Sequence, residues 1–467
     1  MKRRFTVNNK KVVLLSLCSF LLASCAEMSL PFQDKPEDDP VVPNQEKKLM
    51  IKDTVTQKYH SGKKQSVDLQ DAAQLIVLFH PRVAQAKGNE NSEAEMIAIA
   101  EAAYYPQISG GLGGQRENQR STRYDKKYIQ DMSMSINQVL YDFGKISSAV
   151  KSAKFGHQSA QIQTKLTNEE LIHISSSAVI TANRSKELAG LAKAQANSVS
   201  SLTKLVEERH EKGASNLSDV YQAKARLDDV LSEELDVSSQ HQSIVKTLGV
   251  MIGQKQITDA TVGSLPSGLV AACFVEPTWN KIPEYELAQI EAERAVAELE
   301  RAKAEEMPTI SFNGSTSRAL NATPRYGSRM DSKVGINVSI PVYQGGALSA
   351  GKRVAESRIE SADARKMTVQ LDIEQKLSEA QVNLQNLNQR KGLLSQRVNN
   401  LKNTKELYKQ QYLELGTRTL VDLLNSEQEY HRAQVDVVNN RFDIIQTQLE
   451  CAYSQGKLAE SLNIYAE

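Results

Sequence analysis

Seven histidines, His60, His80, His157, His173, His210, His241 and His431, are the first residues to try for chemistry. No two stand one helical turn apart, the spacing that presents paired imidazoles to a metal. They read as surface or packed side chains, and no metal site is expected. Gly110-Gly111-Leu112-Gly113-Gly114 suggests a phosphate cradle, but no Gly-Lys-Ser/Thr follows it. In a strand such small residues only slim the wall. No serine, histidine and acid set stands out from the background. The chain is expected to be no enzyme and to need no cofactor, so the energy for any work must come from a partner. With 57 Lys and Arg against 56 Asp and Glu, a net charge of +1, it carries no basic footprint for nucleic acid.

The cysteines and two charged motifs remain. Lys2, Arg3, Arg4, Lys10 and Lys11 precede the apolar run from Val12 to Ala23, which is too short to span a bilayer as a helix. The layout is that of a bacterial secretory signal over residues 1–24. Its end, Leu22-Ala23-Ser24-Cys25, resembles the lipobox of bacterial lipoproteins, which makes Cys25 the lipidated first residue of the mature chain. Ala26, where sorting to the inner membrane would call for aspartate, points to the outer membrane. Pro31, Pro36, Pro40 and Pro43 then stand among acidic residues, so residues 25–66 read as an extended tether. Cys18 leaves with the signal, and Cys273 and Cys451 remain in an oxidising compartment.

The elements that position these residues are read from an internal duplication at an offset of about 202. Pro81 and Pro106 are 25 residues apart, as are Pro283 and Pro308; Pro106 to Gly144 and Pro308 to Gly346 are both 38. The motif Gly213 to Asp219 answers Gly416 to Asp422, each spanning 6 residues. Between these landmarks Gly144 to Gly213 is 69 residues and Gly346 to Gly416 is 70. The chain is expected to divide into a first repeat over 67–253, a connector over 254–281 with Pro266, Gly268, Pro277 and Trp279, and a second repeat over 282–467.

Within each repeat the periodicity changes. A helix-like stretch runs from Leu69 past His80-Pro81 to Tyr105-Pro106, and its counterpart from Ile282-Pro283 to Met307-Pro308. Next, Met132, Met134 and Ile136 alternate with Ser133, Ser135 and Asn137, and Val334, Ile336, Val338 and Ile340 alternate with Gly335, Asn337 and Ser339. Period two gives one apolar and one polar face. With the runs from Gln107 and Thr309, each half supplies a strand hairpin whose faces suit a membrane barrel with a wet lumen. A soluble sandwich hairpin also alternates. Four strands cannot close a barrel, since about 8 are needed; three chains would supply 12. A breaker-poor helix of about 100 Å follows each hairpin, turns at the glycine motif, and returns. Leu394, Val398, Leu401, Tyr408, Tyr412 and Leu415 trace a coiled-coil seam, with Lys405 the exception.

Lys333-Val334-Gly335-Ile336-Asn337-Val338-Ser339-Ile340-Pro341-Val342-Tyr343-Gln344-Gly345-Gly346 and Gly416-Thr417-Arg418-Thr419-Leu420-Val421-Asp422-Leu423-Leu424 resemble signatures of the TolC family of outer-membrane channels, and the likeness covers about Leu69 to Leu462. The resemblance implies a mainly α fold with a β-barrel portion: a homotrimer with a shared 12-strand barrel, a long helical tunnel and an equatorial collar. It implies work in a tripartite system with a periplasmic adaptor (membrane fusion) protein and an inner-membrane ABC or proton-driven transporter. The lipid of the outer membrane would surround the barrel. In the family, links between neighbouring tip helices and rings of aspartate close the periplasmic end. The linking arginine falls on Arg418, its partners on Ser218 and Asp219, and the inner aspartate on Asp422. The bland reading of Arg418 and Asp422 is a solvated charge and a helix-start cap. Asn425 stands where the family has a second aspartate. Tyr412 stands four residues before Gly416, where the family's gating tyrosine lies three before, which leaves Leu413 at the matching place.

Asn137 to Lys145 is similar to members that serve type I protein secretion, so export of polypeptide is the favoured use and efflux of small compounds the alternative. A periplasmic coiled-coil scaffold without a pore is the reading from another class. In the family the surroundings of Cys273 and Cys451 resemble parts of the collar. The two therefore form either a disulfide or a pair of separately packed thiols.

Overall fold

The computed structural model describes residues 65–116, 124–125, 128–323 and 327–464. The signal segment, Cys25 and most of the tether lie outside them. The described chain begins at Gln65, one residue before the expected end of the tether. There β1 (Gln65–Val67) pairs in parallel with β4 (Ile257–Ala260), which belongs to the connector.

The expected helix from Leu69 to Tyr105 is two helices, α1 (Leu69–Phe79) and α2 (Pro81–Glu101). The break is at His80, whose ψ of 129° is extended. The ring of Pro81 crowds the helical conformation of the residue before it, and Pro itself then starts the next helix well. Asp68 caps α1 by accepting the amide of Asp71 at 2.7 Å, and His80 caps α2 by accepting that of Arg82 at 3.2 Å.

Four strands, β2 (Gln107–Arg116), β3 (Tyr128–Tyr141), β5 (Thr309–Ala319) and β6 (Met330–Ser339), form one antiparallel sheet in the order β2-β3-β5-β6. The register sorts the side chains. Ile108 faces Ile136, Leu112 faces Met132, Ile310 faces Val338 and Phe312 faces Ile336, all on one face. Ser109 and Ser135, Asn137 and Asn313, and Ser311 and Asn337 pair on the other. A slip of one residue would exchange the faces, so the alternation itself pins the register. The hairpins of the two halves join along β3 and β5.

Between sheet and return lies α3 (Lys145–Glu211) in the first half and α7 (Ala347–Gln410) in the second, of 67 and 64 residues. Each starts from a glycine with a left-handed backbone, Gly144 at φ 100° and Gly346 at φ 85°. A side chain there would be strained, which is why the duplicated landmarks are glycines. The return helices are α4 (Leu217–Met251) and α8 (Leu420–Ser454), packed on α3 and α7 respectively. The connector holds α5 (Ser267–Ala271), α6 (Pro283–Ala304) opens the second half, and α9 (Leu458–Ser461) closes the described chain.

The main core lies where α1, the middle of α3, the connector and α8 meet. Leu75, Ile76, Ile172, Ile180, Leu248, Leu269, Ile373 and Phe442 are buried there. Each such side chain contributes about 1.5–3 kcal/mol of transfer free energy. Polar ties fix the connector to this core. Gln455 Nε2 donates to the carbonyl of Ala272 at 2.6 Å, and Gln381 Nε2 to that of Cys273 at 2.7 Å. Glu169 accepts the amides of Leu458 and Ala459 at 3.0 and 3.1 Å, capping α9. Burial nevertheless pushes its carboxyl above the ordinary value. Cys273 and Cys451 are joined as a disulfide across 178 residues of sequence, with their Cα atoms 5.0 Å apart.

Closing so long a loop contributes about 3–5 kcal/mol in the chain-entropy account. Labelling of denatured, unreduced protein should therefore find neither Cys273 nor Cys451 reactive, and both after reduction. Cys451→Ser should lower the unfolding midpoint. Two reactive thiols before reduction would contradict the bond.

Candidate functional site

The two glycine motifs lie together at the end of the helices away from the sheet. Leu202 and Val206 of α3, Val220 and Ala223 of α4, and Leu420, Leu423 and Leu424 of α8 form a separate small core there. On the first loop, Gly213 donates to the carbonyl of His210 at 2.8 Å and Ala214 to that of Arg209 at 2.7 Å. Ser215 Oγ donates to Asp219 Oδ2 at 2.8 Å. The return therefore starts with an acidic side chain already held at the helix N-terminus, where the helix dipole favours it.

On the second loop α7 does not simply stop. Gln411–Leu415 form a π turn ending at Gly416, whose φ of 61° is left-handed. The turn lies within the second long span, which is one residue longer than the first. It also ends the expected seam: Tyr412 is buried, but Leu415 is 67% exposed, because the wider turn rotates it away. The seam's other irregularity is resolved higher up. Lys405 Nζ lies 3.3 Å from Glu427 Oε2, and both side chains are largely buried. The ammonium also sits over the ring of Tyr430 at 4.7 Å, and Ser198 Oγ donates to the same Glu427 carboxylate.

Asp422 is the N3 residue of a capping box. Its amide donates to Thr419 Oγ1 at 3.2 Å, and its Oδ2 accepts the amide of Thr419 at 3.2 Å and the hydroxyl at 2.9 Å. The Thr419 amide, its hydroxyl and then the charge of Arg418 hold the carboxyl below its usual value. Arg418 is solvent-facing. Its Nε donates to Gln411 Oε1 at 3.2 Å, its guanidinium lies over the Tyr408 ring at 4.3 Å, and Nη1 is 4.0 Å from Asp422 Oδ2. Arg418 and Asp422 thus form one cluster, and Ser218 and Asp219 stand at the start of α4. Among the described residues of one chain, no hydrogen bond or ion pair joins the two sets. Asn425 is exposed on α8.

Sequence reasoning passed over Arg209. Its Nη1 donates to the carbonyl of Leu413 at 3.1 Å and its Nη2 to that of Ala214 at 3.4 Å, with the guanidinium 5.0 Å from the centre of the Tyr412 ring. The one-residue surplus in the second span was the available signal that something unusual stood opposite. Among the described residues no cluster of three or more metal-ligating side chains occurs, and no helix is long and apolar enough to cross a membrane.

The model of the family described as "Outer membrane efflux protein" matches residues 78–254 and 283–452, once for each half. The chain belongs to this family. It is similar to "Outer membrane protein TolC" of Salmonella enteritidis, at 22% identity over 85% of this chain and 83% of that one. It is also similar to "Alkaline protease secretion protein AprF" of Pseudomonas aeruginosa, at 20% identity over 85% and 86%. Among solved structures, the outer membrane protein VceC of Vibrio cholerae superimposes with a TM-score of 0.72 at 18% identity, covering 83% of this chain and 96% of that one. The fold is that of the TolC-like channels, a helical tunnel with a β portion, and members of the family are outer-membrane transport proteins.

Above the tip, His431 on α8 is buried, and desolvation lowers its pKa against the opposing pull of Glu233 on α4 and Glu427 on α8. A histidine kept neutral in the fold takes up its proton more readily once unfolded. Its contribution is complete above the ordinary value of 6.5 and is lost as pH falls toward the folded value. The thermal midpoint should accordingly drop between pH 7.5 and pH 5.5, and His431→Gln should remove part of that drop. An unchanged pH dependence in the variant would count against the assignment.

Proposed function

We propose that three copies of this chain form an outer-membrane duct that passes cargo from the periplasm to the exterior, with polypeptide as the favoured cargo. The observation that carries the reading is the sheet. One face is apolar and uncovered within the chain, with Leu112, Val334 and Ile336 exposed by 79%, 75% and 70%. Among the described residues its outer strands β2 and β6, 10 residues each, have no neighbour on their outer edges in the sheet order. Ten residues suit a tilted strand crossing a bilayer, and an open edge in lipid must find a partner. A second and third copy supply it, β2 against β6, giving 12 strands in all. An exposed apolar stripe on α7, through Leu371, Val382 and Leu393, supports lateral packing of the helices as well. Strands with such faces have no use in a scaffold without a pore.

Across the boundary between copies, Arg418 would reach Ser218 and Asp219 of the neighbour, and three Asp422 carboxylates would ring the mouth. Such a ring favours cations. Each link is charge-assisted yet solvent-facing, so it is weak enough for a periplasmic adaptor to break. An inner-membrane ABC transporter would supply the energy for polypeptide, and a proton-driven pump for small compounds. The preference for polypeptide rests on the run from Asn137 to Lys145 and on the similarity to AprF, whose name is that of a protease secretion protein. Lipid on Cys25 would add a second anchor.

Purified protein in planar bilayers should give small, cation-selective channels. Arg418→Ser with Asp219→Ala should enlarge the conductance, and Asp422→Ala should weaken the selectivity without requiring a wider pore. Conductance indifferent to the paired substitution would remove the gate from these residues. In the native host, deleting the gene should deplete one or more large secreted proteins from the medium. A Cys25→Ser chain should restore them, because the barrel alone holds the membrane. Heightened sensitivity to small toxic compounds with an unaltered set of secreted proteins would assign the duct to efflux.

A further inference from the structure

At the tip the π turn is a place where the two halves of the duplication differ in backbone. Gln411–Leu415 lie in it, whereas α3 runs as an α-helix to Glu211. A wider turn disturbs the ordinary ladder and leaves carbonyls to be satisfied from outside. Two of them are accounted for. The carbonyl of Gln411 accepts the amide of Thr417 at 3.2 Å, and that of Leu413 accepts Arg209 Nη1 at 3.1 Å. Arg209 stands on α3, in the other half of the chain, and its Nη2 reaches the first tip loop at Ala214. One guanidinium thereby ties both tip loops together.

Tyr412 shows how the tie is made. Its ring is buried beneath the guanidinium, but among the described residues its hydroxyl oxygen has no hydrogen-bond partner, and neither does Arg209 Nε. The aromatic face, not the phenol, is therefore what engages the cation. Arg418 in turn rests on the same π turn through Gln411 Oε1, and on the end of α7 through the Tyr408 ring. A change in that turn would move it. If the π turn reverted to α, each residue after it would rotate by about 100° around the helix, carrying Arg418 off its present bearing.

We propose that Arg209 is a positioning residue of the gate: it holds the π turn of α7 and, through it, sets the place of Arg418, so that release of Arg209 from Leu413 is the step that frees the tip. The inference rests on the reading of the tip as the gate and assigns to Arg209 a tie within one chain. It also excludes the Tyr412 hydroxyl from that role.

Single-channel recording in planar bilayers tests it, with Arg418→Ser plus Asp219→Ala as the reference for the gate itself. Arg209→Gln should raise the ratio of open to closed dwell times about tenfold, the size of one lost charge-assisted hydrogen bond. Arg209→Lys should recover most of the closed dwell, since an ammonium keeps the charge over the ring and one donor for Leu413. Tyr412→Phe should leave gating as it is. Wild-type gating in Arg209→Gln beside an opened reference overturns the latch and leaves the gate standing. Wild-type gating in both overturns the gate reading with it. Opening by Tyr412→Phe as large as that by Arg209→Gln would move the tie to the hydroxyl and overturn the proposal. Should Arg209→Gln fail to insert, deletion of Leu413 equalises the two spans with Arg209 intact. It should open the channel, and gating like the wild type would overturn the latch.

Discussion

Everything in this structure answers to one constraint: a backbone amide or carbonyl in an apolar phase must find a partner. Four strands satisfy that within their own ladder except along β2 and β6, at the two ends of the sheet order. The same sheet directs Ile108, Met134, Phe312 and Val338 to one face and Ser109, Ser135, Asn313 and Ser339 to the other. An apolar face seeks lipid, and open edges in lipid seek further strands. Lateral association then follows from hydrogen bonding, before any side chain of the interface is considered.

The helices inherit that arrangement. In the proposed trimer, three sheets close on one another and the helices that continue from them form a continuous wall. A wall of single long helices has little core of its own. The stability of one chain is gathered at the level of the connector, where α1, α3, α7 and α8 surround Leu269 and Ile282, and where Cys273 is bound to Cys451. The ends are consequently free to differ in character. The sheet end is committed to the membrane, and the tip end carries its own small core around Val206, Tyr412 and Leu423.

Much of this was legible in the sequence because it depends on spacing. Proline and glycine landmarks repeat since each does a backbone task that other residues do poorly, and the strand faces could be read from period two alone. The break at His80 was missed although the rule for a residue before proline was at hand; the apolar pattern of the flanking helices masked it. Tertiary partners were beyond reach. Lys405 looked like a flaw in a seam, and only the packing of α8 and α3 supplies Glu427 and Ser198 to receive it. The surplus residue before Gly416 was visible as a count, but a count does not say whether a loop lengthens or a helix widens. For Cys273 and Cys451 the sequence left both outcomes open, because the approach of two chain segments is a property of the fold.

Charge near the tip is held in two different ways, at the surface and in the interior. Arg418, Gln411 and Asp422 meet near water, where a charged pair contributes about 0–1 kcal/mol and can be exchanged for other partners at little cost. Lys405 and Glu427 meet in the interior, and removing one partner from such a pair costs about 3–5 kcal/mol because the other charge is stranded. Between Lys405 on α7 and Arg418 in the following loop lies the π turn at Gln411–Leu415. The coiled coil above it is therefore pinned by an interaction that does not yield gradually, while the segment below is held by ties that do. The π turn sits at the boundary between them, and Arg209 reaches it from across the chain.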